Sequence, residues 1–259
     1  MRGSMAQISA VVLARNEEAN IANCLNTLQW ADELLVLDSY SDDSTVEIAR
    51  GMGAEVRQRR FDNYALQRNA ALRIASKAWV LFVDADERVT EELVEEIKLV
   101  IDEDALDGWW VPRKNYIFGK WIRHAGWYPD HQLRLLRRER ATYDKRRPVH
   151  ELVDIDGEAG YLSNPLIHHN YRTVGEFREK QNRYTDHEVR MLLENGQRAR
   201  PRNFVLQPLR QFRWRYLTLR GYRDGWRGLL LSSLMAYYEL VRYWRLWHLQ
   251  RAQTPSTFL

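Results

Sequence analysis

The chain has a single cysteine, Cys24, in 259 residues. One thiol excludes an internal disulfide and leans toward a reducing compartment. No run reaches the roughly 18 uninterrupted apolar residues that a membrane span requires. The nearest stretch, Leu229 to Val241, carries Ser232, Ser233 and Glu239. The opening residues do not lead one to expect a secretory leader. The opening MRGS resembles a vector-derived leader, which puts the expected native start at Met5. The apolar Ile8–Ala14 that follows has no basic segment before it and no small-residue cleavage site after it. Internal repeats and low-complexity segments are absent. A hydrophobic content of 45% with 29% charged residues excludes a disordered chain.

Charge of one sign is scarce at the C-terminal end. From Pro201 onward there is no lysine and there are only two acids, Asp224 and Glu239, against ten arginines. That balance of +8 exceeds the +4 of the whole chain, so the remainder carries −4. The same tail holds Trp214, Trp226, Trp244 and Trp247. A mildly acidic body with a basic, aromatic tail implies two parts with two tasks.

The first hundred residues alternate between two periodicities. Ile8–Ala14, ELLVLDS, AEVRQRR and AWVLFVDAD are strands, the first, second and fourth of them near-continuous apolar runs. Between them lie helices: one that Asn16 is placed to cap, one within SDDSTVEIARGMG, and one within NYALQRNAALRIAS. A fourth helix, TEELVEEIKLVI, opens on a Thr cap with early Glu. This order predicts a mostly parallel sheet flanked by helices. Beyond Asp107 short strand-like runs take over. Helices return near Val174, with Thr173 as a cap and Gly196 as a stop, and again around Phe204–Leu219 and Leu229–Gln250.

Ligands of open α/β sheets bind outside the carboxyl ends of the strands. The first strand ends in Ala14-Arg15-Asn16-Glu17-Glu18, the second in Asp38-Ser39-Tyr40-Ser41-Asp42-Asp43, the fourth in Asp84-Ala85-Asp86. Carboxylates accept from ribose hydroxyls and ligate Mg²⁺ or Mn²⁺. Strand alternation predicts Asp84 and Asp86 on one side with Ala85 turned away. Asp42 and Asp43 open a helix, where capping is the plainer role.

In this order, LARNEEANIANCL, LLVLDSYSDDSTVEIA, YALQRNAAL and WVLFVDADE resemble the nucleotide-binding half of the inverting GT-A glycosyltransferases of family 2. The second motif departs from the usual V-D-D-G-S-x-D-x-T, with Ser39 and Tyr40 replacing the Asp-Gly. GWYPDHQLRLLR, PVHE, HHNYRTVGEF, KQNRYT and DGWRGLLLSSLMAYYELVRYW resemble the narrower lipopolysaccharide core glucosyltransferase type (WaaE/KdtX-like).

The resemblance implies a GT-A (Rossmann-like) catalytic domain over residues 5–172, with a nucleotide-binding half, 5–104, and an acceptor half, 105–172. A helical extension follows over 173–259. It implies Asp130 as the base that deprotonates the acceptor hydroxyl. Asp144, Asp154 and Asp156 are competitors in turn-rich surroundings. Nucleotide-sugar contacts fall to Ala14, Arg15, Glu17, Asp38, Arg68, Asp84 and Arg134, with Asp84 on the ribose and Arg134 on the diphosphate. Mn²⁺ or Mg²⁺ falls to Asp86 and His150, with His168 or His169 as the rival. Trp127 and Tyr128 suit a sugar platform. The expected partners are a nucleotide-sugar donor, UDP-linked, and a lipid-linked saccharide acceptor. A polyprenyl phosphate is the alternative acceptor, and self-association is left open.

The tail suits an anionic membrane surface, through Arg213, Trp214, Arg215, Arg220, Trp244 and Trp247. This places the enzyme peripherally on the cytoplasmic face of the plasma membrane. Two other classes fit less well. A phosphatase with D-x-D would carry it on the first strand. A nucleic-acid-binding protein would leave the acidic strand tips unexplained.

Overall fold

The computed structural model describes residues 6–103, 105–144 and 153–253. Its first half alternates strand and helix: β1 (Ile8–Ala14), α1 (Ile21–Asn26), β2 (Glu33–Asp38), α2 (Thr45–Gly51), β3 (Glu55–Gln58), α3 (Tyr64–Ile74) and β4 (Trp79–Asp84). Next come β5 (Glu87–Arg88), α4 (Glu91–Glu103), β6 (Gly108–Val111), β7 (Arg113–Ile117), β8 (Lys120–Trp121), β9 (Gln132–Arg137), β10 (Ala141–Tyr143), β11 (Val153–Ile155), β12 (Ala159–Tyr161) and β13 (Leu166–Tyr171). The chain closes with α5 (Val174–Glu194), α6 (Asn203–Arg213) and α7 (Trp226–Gln253).

Among the described residues a seven-stranded sheet runs in the order β12-β6-β9-β4-β1-β2-β3. β3, β2, β1 and β4 are mutually parallel, and β9 enters antiparallel beside β4. The sheet is therefore mixed, with the parallel half first in the chain. Side-chain alternation divides each central strand between two cores. Ala10, Val12, Leu81 and Val83 meet Ile21 and Leu25 of α1 and Leu93 and Ile97 of α4. Val11, Leu35, Val80 and Phe82 meet Ala65, Ala71 and Leu72 of α3 on the other face. Coverage on both faces explains why Trp79–Val83 is uniformly apolar and buried.

The chain divides into two compact units. One takes residues up to Lys114 together with Asp130–His168; the other takes Asn115–Pro129 with His169 onward. The segment 115–129, expected in the acceptor half, thus groups with the C-terminal helices. In that second unit α7 packs on α5 and α6, around a core of Ile117, Ile122, Tyr171, Phe177, Leu231 and Tyr238.

Local starts and stops mostly follow the residues expected. Thr173 caps α5 by accepting from the Glu176 N–H at 3.1 Å. Asn16 does not cap α1, which starts at Ile21 after Asn20; Asn16 takes a left-handed φ of 56° in the loop instead. The helix expected around Phe204–Leu219 is α6 followed by a π-helical turn, Trp214–Thr218. No helix among the described residues is long and apolar enough to cross a membrane.

Candidate active site

The loops after β1 and β2 are laced together. The Asn16 N–H donates to Ser41 Oγ at 2.9 Å, and the Glu17 N–H to Thr45 Oγ1 at 2.8 Å. The Glu17 carboxylate accepts from Asn20, so it ties its own loop. Beyond these strand ends opens a cleft of about 500 Å³ lined by Arg15, Ser39, Tyr40, Arg60 and Phe61. Tyr40 is 55% and Phe61 41% exposed. Two guanidiniums and two exposed rings suit a planar base with a phosphate tail.

Asp38, expected to contact the nucleoside, does not face this cleft. It is fully buried. Its carboxylate accepts from the Ser41 N–H at 3.0 Å, from Ser41 Oγ and from Gln58 Nε2 at 3.0 Å. Asp38 instead shapes the loop that carries Ser39 and Tyr40. Ala14 is buried, while Arg15 is exposed at the cleft. Arg60 and Phe61 were not singled out from the sequence, because β3 ends without a recognisable motif.

The tip of β4 differs in detail from the expected alternation. The strand ends at Asp84, and Ala85-Asp86 form a turn into β5. Asp84 is gripped by both terminal nitrogens of Arg134, with Arg68 Nη2 at 3.6 Å. Burial works against this carboxylate's charge, but Arg134 and Arg68 outweigh it and hold its pKa far below the usual range. Arg134, expected on the diphosphate, is itself 4% exposed and spans Asp84 and Glu87. Arg68 also lies over the Phe82 ring, 5.1 Å from its centroid. Both arginines thus act on Asp84 rather than standing free.

Asp130 belongs to the same unit. Arg113 donates to its Oδ2 from Nε at 3.0 Å and Nη2 at 2.5 Å, and Gln132 Nε2 donates to Oδ1 at 3.0 Å. Burial opposes the Arg113 charge, but Glu87 and Asp130 outweigh it and raise its pKa. Arg113 and Glu87 were not singled out from the sequence, since no motif marks either of them.

Asp86 Oδ2 lies 3.3 Å from His168 Nε2. His168 is held on β13, where it pairs with Glu87 of β5. His150 lies outside the described residues. A hard carboxylate oxygen with an imidazole nitrogen suits Mn²⁺ or Mg²⁺, and donors to one small cation stand about 3 Å apart. No group of three or more His, Cys, Asp or Glu gathers among the described residues. Among the described residues, Asp86 and His168 are placed so that they could supply two donors to such a cation.

In the second unit, Arg213, Trp214, Arg220 and Trp244 are exposed. Arg215 is not. Its Nη1 donates to the Ala125 carbonyl at 2.7 Å and its guanidinium lies over Trp127. Burial lowers its pKa. Trp247 is half-buried beneath Arg251. The exposed places are taken by Val205, Leu206, Leu209 and Leu217, which the sequence did not single out.

Residues 9–169 match the family model described as Glycosyl transferase family 2. The chain is 28% identical over 241 residues to the lipopolysaccharide core biosynthesis glycosyltransferase LpsC of Rhizobium meliloti, covering 90% of this chain and 89% of that one. It is 24% identical over 250 residues to an uncharacterized glycosyltransferase of Rickettsia felis, covering 92% and 88%. Among solved structures, S. aureus TarS 1–349 is 16% identical with a TM-score of 0.48, covering 98% of this chain and 94% of that one.

Proposed function

The chain belongs to glycosyl transferase family 2, and on that premise we propose that it is an inverting, metal-dependent enzyme moving a sugar from a UDP-sugar to a lipid-linked saccharide such as lipopolysaccharide core. The observation that carries this is the tip of β4, where Asp84 is charge-fixed by Arg134 and Asp86 faces His168. The likeness to LpsC supports the acceptor class.

The rings of Tyr40 and Phe61 receive the base, and Arg15 and Arg60 receive the diphosphate. Asp84 accepts from the ribose hydroxyls; Arg68 and Arg134 keep it ionised and aimed. Asp86 and His168 would hold Mn²⁺ or Mg²⁺, and the cation would supply positive charge against the departing diphosphate. Asp130 receives the proton of the acceptor hydroxyl. The new bond from that oxygen to the anomeric carbon forms as the bond to the diphosphate oxygen breaks, so configuration inverts and UDP leaves.

Arg213, Trp214, Arg220 and Trp244, with the exposed leucines of α6, serve a bilayer surface. Arginine with aromatic and aliphatic neighbours is the composition of an interfacial helix. The enzyme works peripherally at the cytoplasmic face of the plasma membrane, where the acceptor is anchored.

A thermal-shift screen of UDP-, GDP- and ADP-sugars tests the donor, since a ligand bound only to the folded state raises its melting temperature. A UDP-sugar with Mn²⁺ should stabilise the wild type, and Asp86→Ala should lose the effect. No shift with any nucleotide sugar under any metal condition would contradict the proposal.

A further inference from the structure

Glu87 is a fully buried carboxylate in a chain whose other acids at this site have assigned roles. It sits where three parts of the site converge. Its Oε2 accepts from the Asp84 N–H at 2.9 Å. Its Oε1 accepts from Arg113 Nη1 at 3.2 Å and from Arg134 Nη2 at 3.3 Å. Arg113 turns its other two donors onto Asp130, and Arg134 turns both terminal nitrogens onto Asp84. The Glu87 backbone lies opposite His168 in the β5–β13 pair.

A buried charge survives only when it is paired and hydrogen-bonded. Here Arg68, Arg113 and Arg134 face Asp84, Glu87 and Asp130, three charges of each sign. Neutralising Glu87 leaves three arginines with two carboxylates, and Arg113 and Arg134 each lose the charged partner that fixes their forks. Arg113 is planar, so the direction of its contact with Glu87 fixes the direction of its grip on Asp130.

We infer that Glu87 is a positioning residue for sugar transfer, locking Arg113 and Arg134 into one array so that Asp130 and Asp84 keep a fixed mutual orientation. This rests on Asp130 being the base. The transferring atoms never touch Glu87. Its contribution is the pre-set geometry in which small misplacements are costly to rate.

Glu87→Gln keeps the shape of the side chain and removes its charge. With the nucleotide sugar selected by the thermal-shift screen, kcat should fall at least 30-fold. KM for that donor and Kd for UDP with Mn²⁺ should stay within about threefold. Arg113→Lys, which cannot fork onto both carboxylates, should give the same split, and it carries the test if Glu87→Gln fails to fold. Unchanged kcat, or kcat and UDP affinity falling in parallel, would overturn the inference. Asp130→Asn run alongside separates the two levels. Full activity there removes the base itself. An inactive Asp130→Asn beside a fully active Glu87→Gln removes only the role of Glu87.

Discussion

Asp86 and His168 are 82 residues apart in the chain and meet at 3.3 Å. One comes from the turn after β4, the other from β13, and the β5–β13 pairing brings them together. If they share a divalent cation, His168→Ala should weaken Mn²⁺-dependent UDP binding at least tenfold in titration calorimetry. His150→Ala is the comparison. Loss in His150→Ala with none in His168→Ala would reverse the assignment.

Arg134 is the most buried cation of the site, and removing one partner from a buried ionic group is costly. Arg134→Met should destabilise the protein by about 3 kcal/mol. The check is urea denaturation followed by circular dichroism. A midpoint unchanged from wild type would mean that Asp84 and Glu87 find other partners.

Asp43 accepts from the Thr45 N–H at 3.0 Å, from Thr45 Oγ1 and from the Glu18 N–H at 3.1 Å. Desolvation works against its charge, but these hydrogen bonds outweigh it and lower its pKa. A carboxyl with a depressed folded-state pKa adds stability above its unfolded value, about 3.9, and loses it as pH falls through the folded value. Asp43→Ala should therefore cost about 1 kcal/mol at pH 7, and the difference from wild type should shrink below pH ~4. Melting curves at pH 7, 5 and 3 measure this.

At the surface of the second unit, Leu209→Glu should weaken sedimentation with vesicles rich in anionic phospholipid, and Arg213→Glu should do the same. Neither should change the melting temperature by more than a degree or two. Arg215→Ala should lower the melting temperature, because this arginine holds the Ala125 carbonyl. Lost vesicle binding by Arg215→Ala at unchanged stability would return it to the lipid surface.

Gly228 approaches Gly221 so closely that a Cβ would stand 1.8 Å from the Gly221 carbonyl oxygen. Gly228→Ala should destabilise the helical unit by roughly 2–3 kcal/mol, the cost of overpacking against backbone. The role of the two glycines is this close contact.

The β1–β4 half was legible in the sequence because β1, β2 and β4 are largely buried apolar runs and α3 has an ordinary cap in Asn63. Ile8–Ala14 and Trp79 are placed as the apolar runs predicted. The roles of Asp38, Arg134 and Arg215 were not legible. Each depends on a partner distant in the chain or on the way a loop turns: Gln58 for Asp38, Asp84 and Glu87 for Arg134, and Ala125 for Arg215. Residue type told that these groups are polar, and only the pairing of strands and loops told which way they point. Glu87 was hidden for the same reason, since a Glu one position past a D-x-D gives no periodic signal.

Transfer of a labelled sugar is the most direct test of the central claim. Wild-type protein, the donor selected by thermal shift, Mn²⁺ and lipopolysaccharide core lipid should yield labelled lipid with inverted anomeric configuration. Asp130→Asn should bind UDP normally and transfer at least a hundredfold more slowly. Transfer with retained configuration, or undiminished transfer by Asp130→Asn, would contradict the account.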